Sequence, residues 1–127
     1  MSSLQICLLA EAARPLLNKF YRQHQSPMRA SSAGQLWVAR NEGIVAGMSL
    51  TPVAQGHWLT GLFVAPDHRG QGYGTMLLDQ VIEFAKQKDF KRITLLTDKI
   101  SAESQNFFRK NGFEYSNMIP MRRIISD

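Results

Sequence analysis

One cysteine, Cys7, is all the sulfhydryl chemistry in these 127 residues. A single thiol excludes an internal disulfide and any cysteine-cluster metal site, and it suits a reducing compartment. Cys7 lies in a short apolar segment, which favours an inert, buried thiol over a nucleophile. Long apolar runs are also missing: none approaches the roughly 20 residues that span a bilayer, so no membrane association is expected. The opening Met1-Ser2-Ser3-Leu4-Gln5-Ile6 has no basic segment followed by an apolar core, so no signal peptide is expected and the expected location is the cytoplasm. There are no repeats, low-complexity tracts or linkers, and no acidic cluster that would mark a polyamine site. Aromatic residues make up 9% of the chain and do not interleave with the basic ones. With no recognition-helix or zinc-finger pattern either, a nucleic-acid role is not expected.

What remains is an ordinary globular composition, with 44% hydrophobic and 20% charged residues, and a length that suits one domain over 1–127 with a sizeable core. The net charge is +5. A solvated basic surface accounts for that, as does steering of a polyanionic ligand.

Periodicity divides the chain into elements. Residues 3–9 alternate loosely as a strand, and 11–24 place Ala12, Leu16, Leu17 and Phe20 at helical spacing. Residues 25–34 are polar and read as a loop or short broken helix. Strands are expected at 35–40 and 44–51, joined by the hairpin turn Asn41-Glu42-Gly43, and at 57–64, which is nearly all apolar. An amphipathic helix follows over 75–88, with Leu77, Leu78, Val81, Phe84 and Ala85 on one face, then a strand at 92–97. Residues 101–110 read as a helix with Ser101 as N-cap and Asn111-Gly112 as C-cap, and 114–126 as one or two closing strands.

The densest signal lies between the 57–64 strand and the 75–88 helix. Leu62-Phe63-Val64 ends a strand, Pro66 stops it, and Arg69-Gly70-Gln71-Gly72-Tyr73-Gly74-Thr75 turns into a helix. The first N–H groups of a helix have no intrahelical partner and sit at the positive end of its dipole. Glycines bring an anion close to them, and Arg69 adds a full charge, so the segment is suited to a phosphate or pyrophosphate. It is not a triphosphate P-loop, because Gly74-Thr75 has no lysine between its members. Glycines at 70, 72 and 74 also do not match the dinucleotide spacing.

Arg69, Gly72 and Gly74 do fit Arg/Gln-x-x-Gly-x-Gly/Ala, and the segment resembles the pyrophosphate loop of the GNAT acyl-CoA N-acyltransferases. Val64-x-Pro66 is similar to the exit of that family's fourth strand, and Phe107-Phe108-Arg109-Lys110-Asn111-Gly112-Phe113 to its closing motif. The resemblance implies an α/β fold: a mixed, mostly antiparallel central sheet with splayed fourth and fifth strands, flanked by helices. It implies acetyl-CoA as donor, a small amine as acceptor, no metal, and a monomer or homodimer. The pantetheine arm would pair with the backbone of Leu62, Phe63 and Val64. The Val64 N–H would face the thioester oxygen, where amine attack builds negative charge. Residues 69–75, with Ser101 and Phe108, would complete the donor site.

Two positions depart from the family pattern. Phe108 stands where a tyrosine often protonates the leaving thiolate; Tyr115 is the nearest phenol to replace it. If strand alternation holds from Val64, the inward positions are Leu62, Thr60 and Trp58, none of them a base, while His57 points the other way unless a bulge intervenes. Asp98 is left either to take a proton through water, to bind a cationic amine or to close a turn, and Ser101 either to contact pantetheine or to cap its helix. A module that binds acyl-CoA without catalysis is the alternative reading.

Overall fold

A computed structural model describes residues 4–54 and 56–126. Ser3, the first residue of the expected strand 3–9, and Met1 and Ser2 before it lie outside the described residues. Two compact units emerge, Met1–Leu96 and Thr97–Asp127.

The first unit holds a five-stranded sheet in the order β1 (Gln5–Leu9), β2 (Gln35–Arg40), β3 (Ile44–Val53), β4 (Gly56–Val64) and β5 (Ile93–Thr94). The first three pairings are antiparallel and the last is parallel. That is the mixed, mostly antiparallel sheet the resemblance implies. The β4–β5 ladder consists of His57↔Ile93 and Trp58↔Thr94 and goes no further, so the two strands part after Trp58. β5 is accordingly shorter than its apolar pattern suggests.

Helix α1 (Arg14–Gln23) packs on one face of the sheet and α2 (Tyr73–Gln87) on the other. Alternation in β2 feeds both layers: Leu36 and Val38 join Leu17, Phe20 and Tyr21 of α1, while Trp37 meets Phe84 of α2 edge to face at 5.3 Å. Leu16, expected on the core face of α1, is 54% exposed; Tyr21 takes the buried position. Cys7 is half-buried and packs against the α1 cluster. α1 ends in a Schellman arrangement, with Gln25 at φ 57° and the Ser26 N–H donating to Tyr21 O. α2 ends likewise on Asp89, at φ 60°.

The second unit contains α3 (Ala102–Lys110), capped by Ser101 Oγ accepting from Ser104 N at 3.3 Å and closed by Gly112 at φ 92°. Beyond it, 114–126 forms neither helix nor strand, contrary to the expected closing strands. Pro120 removes a ladder donor, and the apolar side chains of Met118, Ile119, Met121, Ile124 and Ile125 stay exposed. No helix among the described residues is long and apolar enough to cross a membrane.

Candidate active site

Strand β4 is not regular. Gly47 pairs with Phe63 and Ser49 with Thr60, so Gly61 and Leu62 together stand opposite the single residue Met48. This is a β-bulge, and Gly61 supplies the left-handed backbone it needs, at φ 69°. The bulge overturns the alternation expected from Val64. Thr60 and Trp58, paired with Ser49 and Thr51, lie on the face of Phe63, whereas His57 shares the face of Leu62 and Val64. His57 stacks on Phe90, centroids 3.6 Å apart and planes 13° off parallel, so its ring is committed to packing at the end of α2.

The bulge also decides which backbone groups are available. Ala65 donates to Val45 O at 2.8 Å, and Phe63 stands opposite Gly47 in the same phase. The intervening Leu62 and Val64 therefore direct N–H and C=O away from β3, toward the side where β5 has already parted. Without the extra residue, Leu62 would face Gly47 and spend these groups in the ladder. As built, the strand exposes a short polar edge among otherwise apolar residues.

That edge runs directly into the glycine turn. Arg69 ties the two together: its Nε donates to Val64 O at 2.8 Å and its guanidinium sits 5.1 Å from the Phe63 ring centroid. Gly70 and Gly72 adopt φ 79° and 81°, and a Cβ at either would meet no atom within 4 Å, so the space before them is open. Gly72 is the N-cap of α2 and no side chain caps it. Its carbonyl accepts the first helical N–H, that of Met76, at 3.0 Å, which leaves the N–H groups of Tyr73, Gly74 and Thr75 without intrahelical acceptors. The helix starts two residues before the expected 75, so Gly74 is a buried residue of its first turn and not part of the loop. Gln71 is exposed, Thr75 half-buried, and Tyr73 stacks on His68 at 5.9 Å. An uncapped N-terminus, open space and an arginine are what a polyanionic group requires.

On the α1 side, the 25–34 segment forms no helix; it is a loop held by side chains remote in sequence. Ala30 N donates to Asn18 Oδ1 at 2.8 Å, Ser31 N to the buried Ser49 Oγ at 3.0 Å, and Arg14 Nε to Ser31 O at 2.6 Å. Its backbone runs over the bulge: Arg29 O would lie 3.6 Å from a Cβ at Gly61. Beside it, Tyr21 donates to Gly61 O at 2.6 Å, and His24 lies against Phe63 at 6.1 Å. None of Asn18, Tyr21 or Ser49 was singled out from sequence. A lone serine in the apolar 44–51 strand was the available signal.

The second unit brings together the remaining candidates. Asp98 Oδ1 accepts from Ile100 N at 3.0 Å, closing a turn, and Ser101 caps α3. Phe108 packs edge to face between Phe107 and Phe113, at 5.2 and 5.6 Å. Tyr115 donates to Gln105 Oε1 at 2.7 Å beneath the Arg109 guanidinium, and borders a hollow of about 980 Å³ shared with Arg109, Lys110 and Phe113.

Comparison with known proteins agrees with this fold. Residues 6–113 match the model of the Acetyltransferase (GNAT) family. The probable N-acetyltransferase camello of Xenopus laevis is 36% identical over 84 residues, covering 63% of this chain and 38% of that protein. N-acetyltransferase family 8 member 2 of Rattus norvegicus is 28% identical over 111 residues, covering 85% of this chain and 46% of that protein. The chain thus spans less than half the length of these curated relatives. Among solved structures, AAC(6')-Iy in complex with the bisubstrate analog CoA-S-monomethyl-acetylneamine superposes with a TM-score of 0.78 at 16% identity, over 98% of this chain and 100% of that one. A ribosomal-protein-alanine N-acetyltransferase from Brucella melitensis gives 0.74 at 17% identity, over 96% and 99%. These two likenesses establish the fold.

Proposed function

The chain belongs to the GNAT acetyltransferase family, and on that premise we propose that it is an acetyl-CoA-dependent N-acetyltransferase working by direct transfer in a ternary complex, with 1–127 acting as one domain. The observation that carries the reading is the continuity of the β4 edge with the uncapped α2 N-terminus. The Leu62 N–H and C=O and the Val64 N–H point to the side where β5 has parted, the Val64 carbonyl being held by Arg69, and the open space at Gly70 and Gly72 follows within a few residues. A pantetheine arm pairing along the first and a pyrophosphate against the second suit this order.

In the reaction, the lone pair of a neutral primary amine attacks the thioester carbon. The carbonyl oxygen becomes an oxyanion, and the fixed Val64 N–H is assigned to stabilise it. Collapse breaks the carbon–sulfur bond. The nitrogen loses one proton and the departing thiolate gains one. Holding the two reactants together supplies much of the rate, so proton loss through water suffices on the amine side. Asp98 is the assigned alternative to bulk water there, and Tyr115 the assigned donor to sulfur, since Phe108 has no proton to give. Ser101 and Phe108 are assigned to the donor side. No Cys or Ser is positioned as a nucleophile in this reading, which favours direct attack over an acyl-enzyme. One superposed structure holds the bisubstrate analog CoA-S-monomethyl-acetylneamine and the other is named for a ribosomal-protein alanine. The acceptor class proposed here is a small molecule with a primary amine.

The test has two steps. Acetyl-CoA at about a hundred times its dissociation constant should stabilise the fold by about 2.7 kcal/mol; no thermal shift with any acyl-CoA overturns the donor site. Thiol release across a panel of amines then decides activity. Binding without release on any amine favours the acyl-CoA-binding module, a reading that Phe108 in place of a phenol motivates.

A further inference from the structure

We propose that Tyr21 is a positioning residue that holds the β4 bulge in register and thereby directs the Leu62 and Val64 N–H groups to the open edge; the catalytic part of this proposal rests on the function proposed above. Tyr21 is fully buried on α1, and its phenol donates to Gly61 O at 2.6 Å across 40 residues of sequence. Gly61 is the bulge residue, so its carbonyl is not paired in the β3 ladder. Without Tyr21 that carbonyl is a half-buried acceptor with no partner from β3, and the bulge loses the bond that holds its left-handed backbone against the regular register, in which Gly61 alone stands opposite Met48. A return to that register shifts every later residue of β4 by one. Leu62 and Val64 then turn to β3, and the polar edge closes.

The fit between the two residues is tight. A Cβ at Gly61 would lie 2.8 Å from the phenol oxygen, and the backbone there is left-handed at φ 69°. The ring of Tyr21 is fixed independently, by Phe63 at 6.4 Å and 75° and by Phe20 at 5.8 Å. The hydroxyl is thus aimed by packing, and its loss would leave the ring in place. Helix α1 acts on the reaction edge through a single hydrogen bond, at a distance from any reacting atom.

Tyr21→Phe keeps the ring and removes only the donor. The expected outcome is a folded protein whose melting temperature falls by less than about 8 °C. Its affinity for 3′-phospho-ADP, the part of CoA without the pantetheine arm, should stay within about threefold of wild type, while affinity for CoA itself and kcat each fall at least about tenfold. Amide exchange at residues 60–64 should accelerate while that at 36–39 in β2 does not. Gly61→Ala, which drives a methyl into the phenol, should produce the same kcat defect, and the double variant should be no worse than Gly61→Ala alone. Unchanged exchange at 60–64 in Tyr21→Phe overturns the proposal whether or not the protein is an enzyme. Unchanged kcat in an active wild-type background overturns its catalytic part. Failure of the wild type to bind CoA instead overturns the proposed function, and leaves the exchange result to decide the bulge. If Tyr21→Phe does not fold, Tyr21 is an ordinary core residue and the positioning role is refuted.

Discussion

Replacing Gly72 by valine separates phosphate recognition from folding. Gly72 has φ 81° and a Cβ there would meet nothing within 4 Å. The substitution therefore costs backbone strain without a clash. A left-handed non-glycine residue costs about 1–2 kcal/mol, which lowers the melting temperature of a chain this size by roughly 3–10 °C. The side chain would project into the open space before the α2 N-terminus, where the pyrophosphate is proposed to lie. Losing one charge-assisted hydrogen bond to that group costs about 1.5–3 kcal/mol, or about 10- to 150-fold in affinity. Gly56→Ala is the control. Gly56 also has a positive φ, 133°; a Cβ there would meet Arg92, its side chain at 3.4 Å and its carbonyl oxygen at 3.8 Å, and Gly56 lies at the far end of the nine-residue β4, roughly 26 Å from Val64. It should lose stability and keep acetyl-CoA affinity. Calorimetry reads the affinities and a thermal melt reads the strain. A Gly72→Val protein that melts early yet binds acetyl-CoA within threefold of wild type would refute the assignment of this loop to the phosphates.

Three further outcomes are expected. Arg69→Ala removes both a charge and the bond to Val64 O; acetyl-CoA affinity should fall by about tenfold, less than in Gly72→Val, and its dependence on salt should flatten across a titration series. Tyr115→Phe should lower turnover at least about tenfold with little change in acyl-CoA affinity, and Phe108→Tyr should leave turnover equal or raise it; normal turnover in Tyr115→Phe removes this phenol as the acid. Burial pushes the Tyr21 phenol above its ordinary range, so the folded chain keeps this proton to a higher pH than the unfolded one, whose phenol titrates near about 10. The associated stability is full below that pH and is lost as pH rises above it. Denaturant melts should show wild type losing stability more steeply than Tyr21→Phe through the alkaline range, and parallel slopes would contradict this.

Legibility followed locality. The β2–β3 hairpin was readable because Asn41-Glu42-Gly43 turns within itself, and Glu42 and Gly43 do adopt positive φ, 59° and 148°. α3 was readable because Ser101 and Gly112 carry cap chemistry in their own side chains or lack of one. The ends of α1 and α2 were less so: Gln25 and Asp89 take the left-handed position that glycine usually fills. The 25–34 segment could not be fixed from its own residues, since Asn18, Ser49 and Arg14 hold it from other elements. The glycine turn and its junction with β4 were legible because the motif is contiguous. The closing strands were overread, since an apolar pattern over 114–126 specifies a strand only where a neighbouring edge accepts it.

The bulge shows why the candidate catalytic face could not be read by counting. Alternation from Val64 assumes one residue of β4 for each residue of β3, and Gly61 breaks that count by one. The break exchanges the faces of every residue before it, so His57 moves to the side of Val64 and yet is consumed by Phe90. No base thereby appears on β4 on either face: Thr60 and Trp58 are as unsuited as Leu62. In the reaction proposed above, the proton on the attacking amine would then leave by water or by a group outside this strand. A β4 with its backbone free and its side chains inert fits a transferase that relies on placement and an oxyanion donor. In such an enzyme rate should track the geometry of the Leu62–Val64 backbone more closely than the identity of any ionisable side chain. Substituting His57 by glutamine, which keeps a planar polar group against Phe90, should therefore change kcat by less than about threefold. The same measurement on Tyr21→Phe should change it by more than about tenfold. The reverse ranking would mean that acid–base chemistry on β4, and not its backbone, limits the reaction.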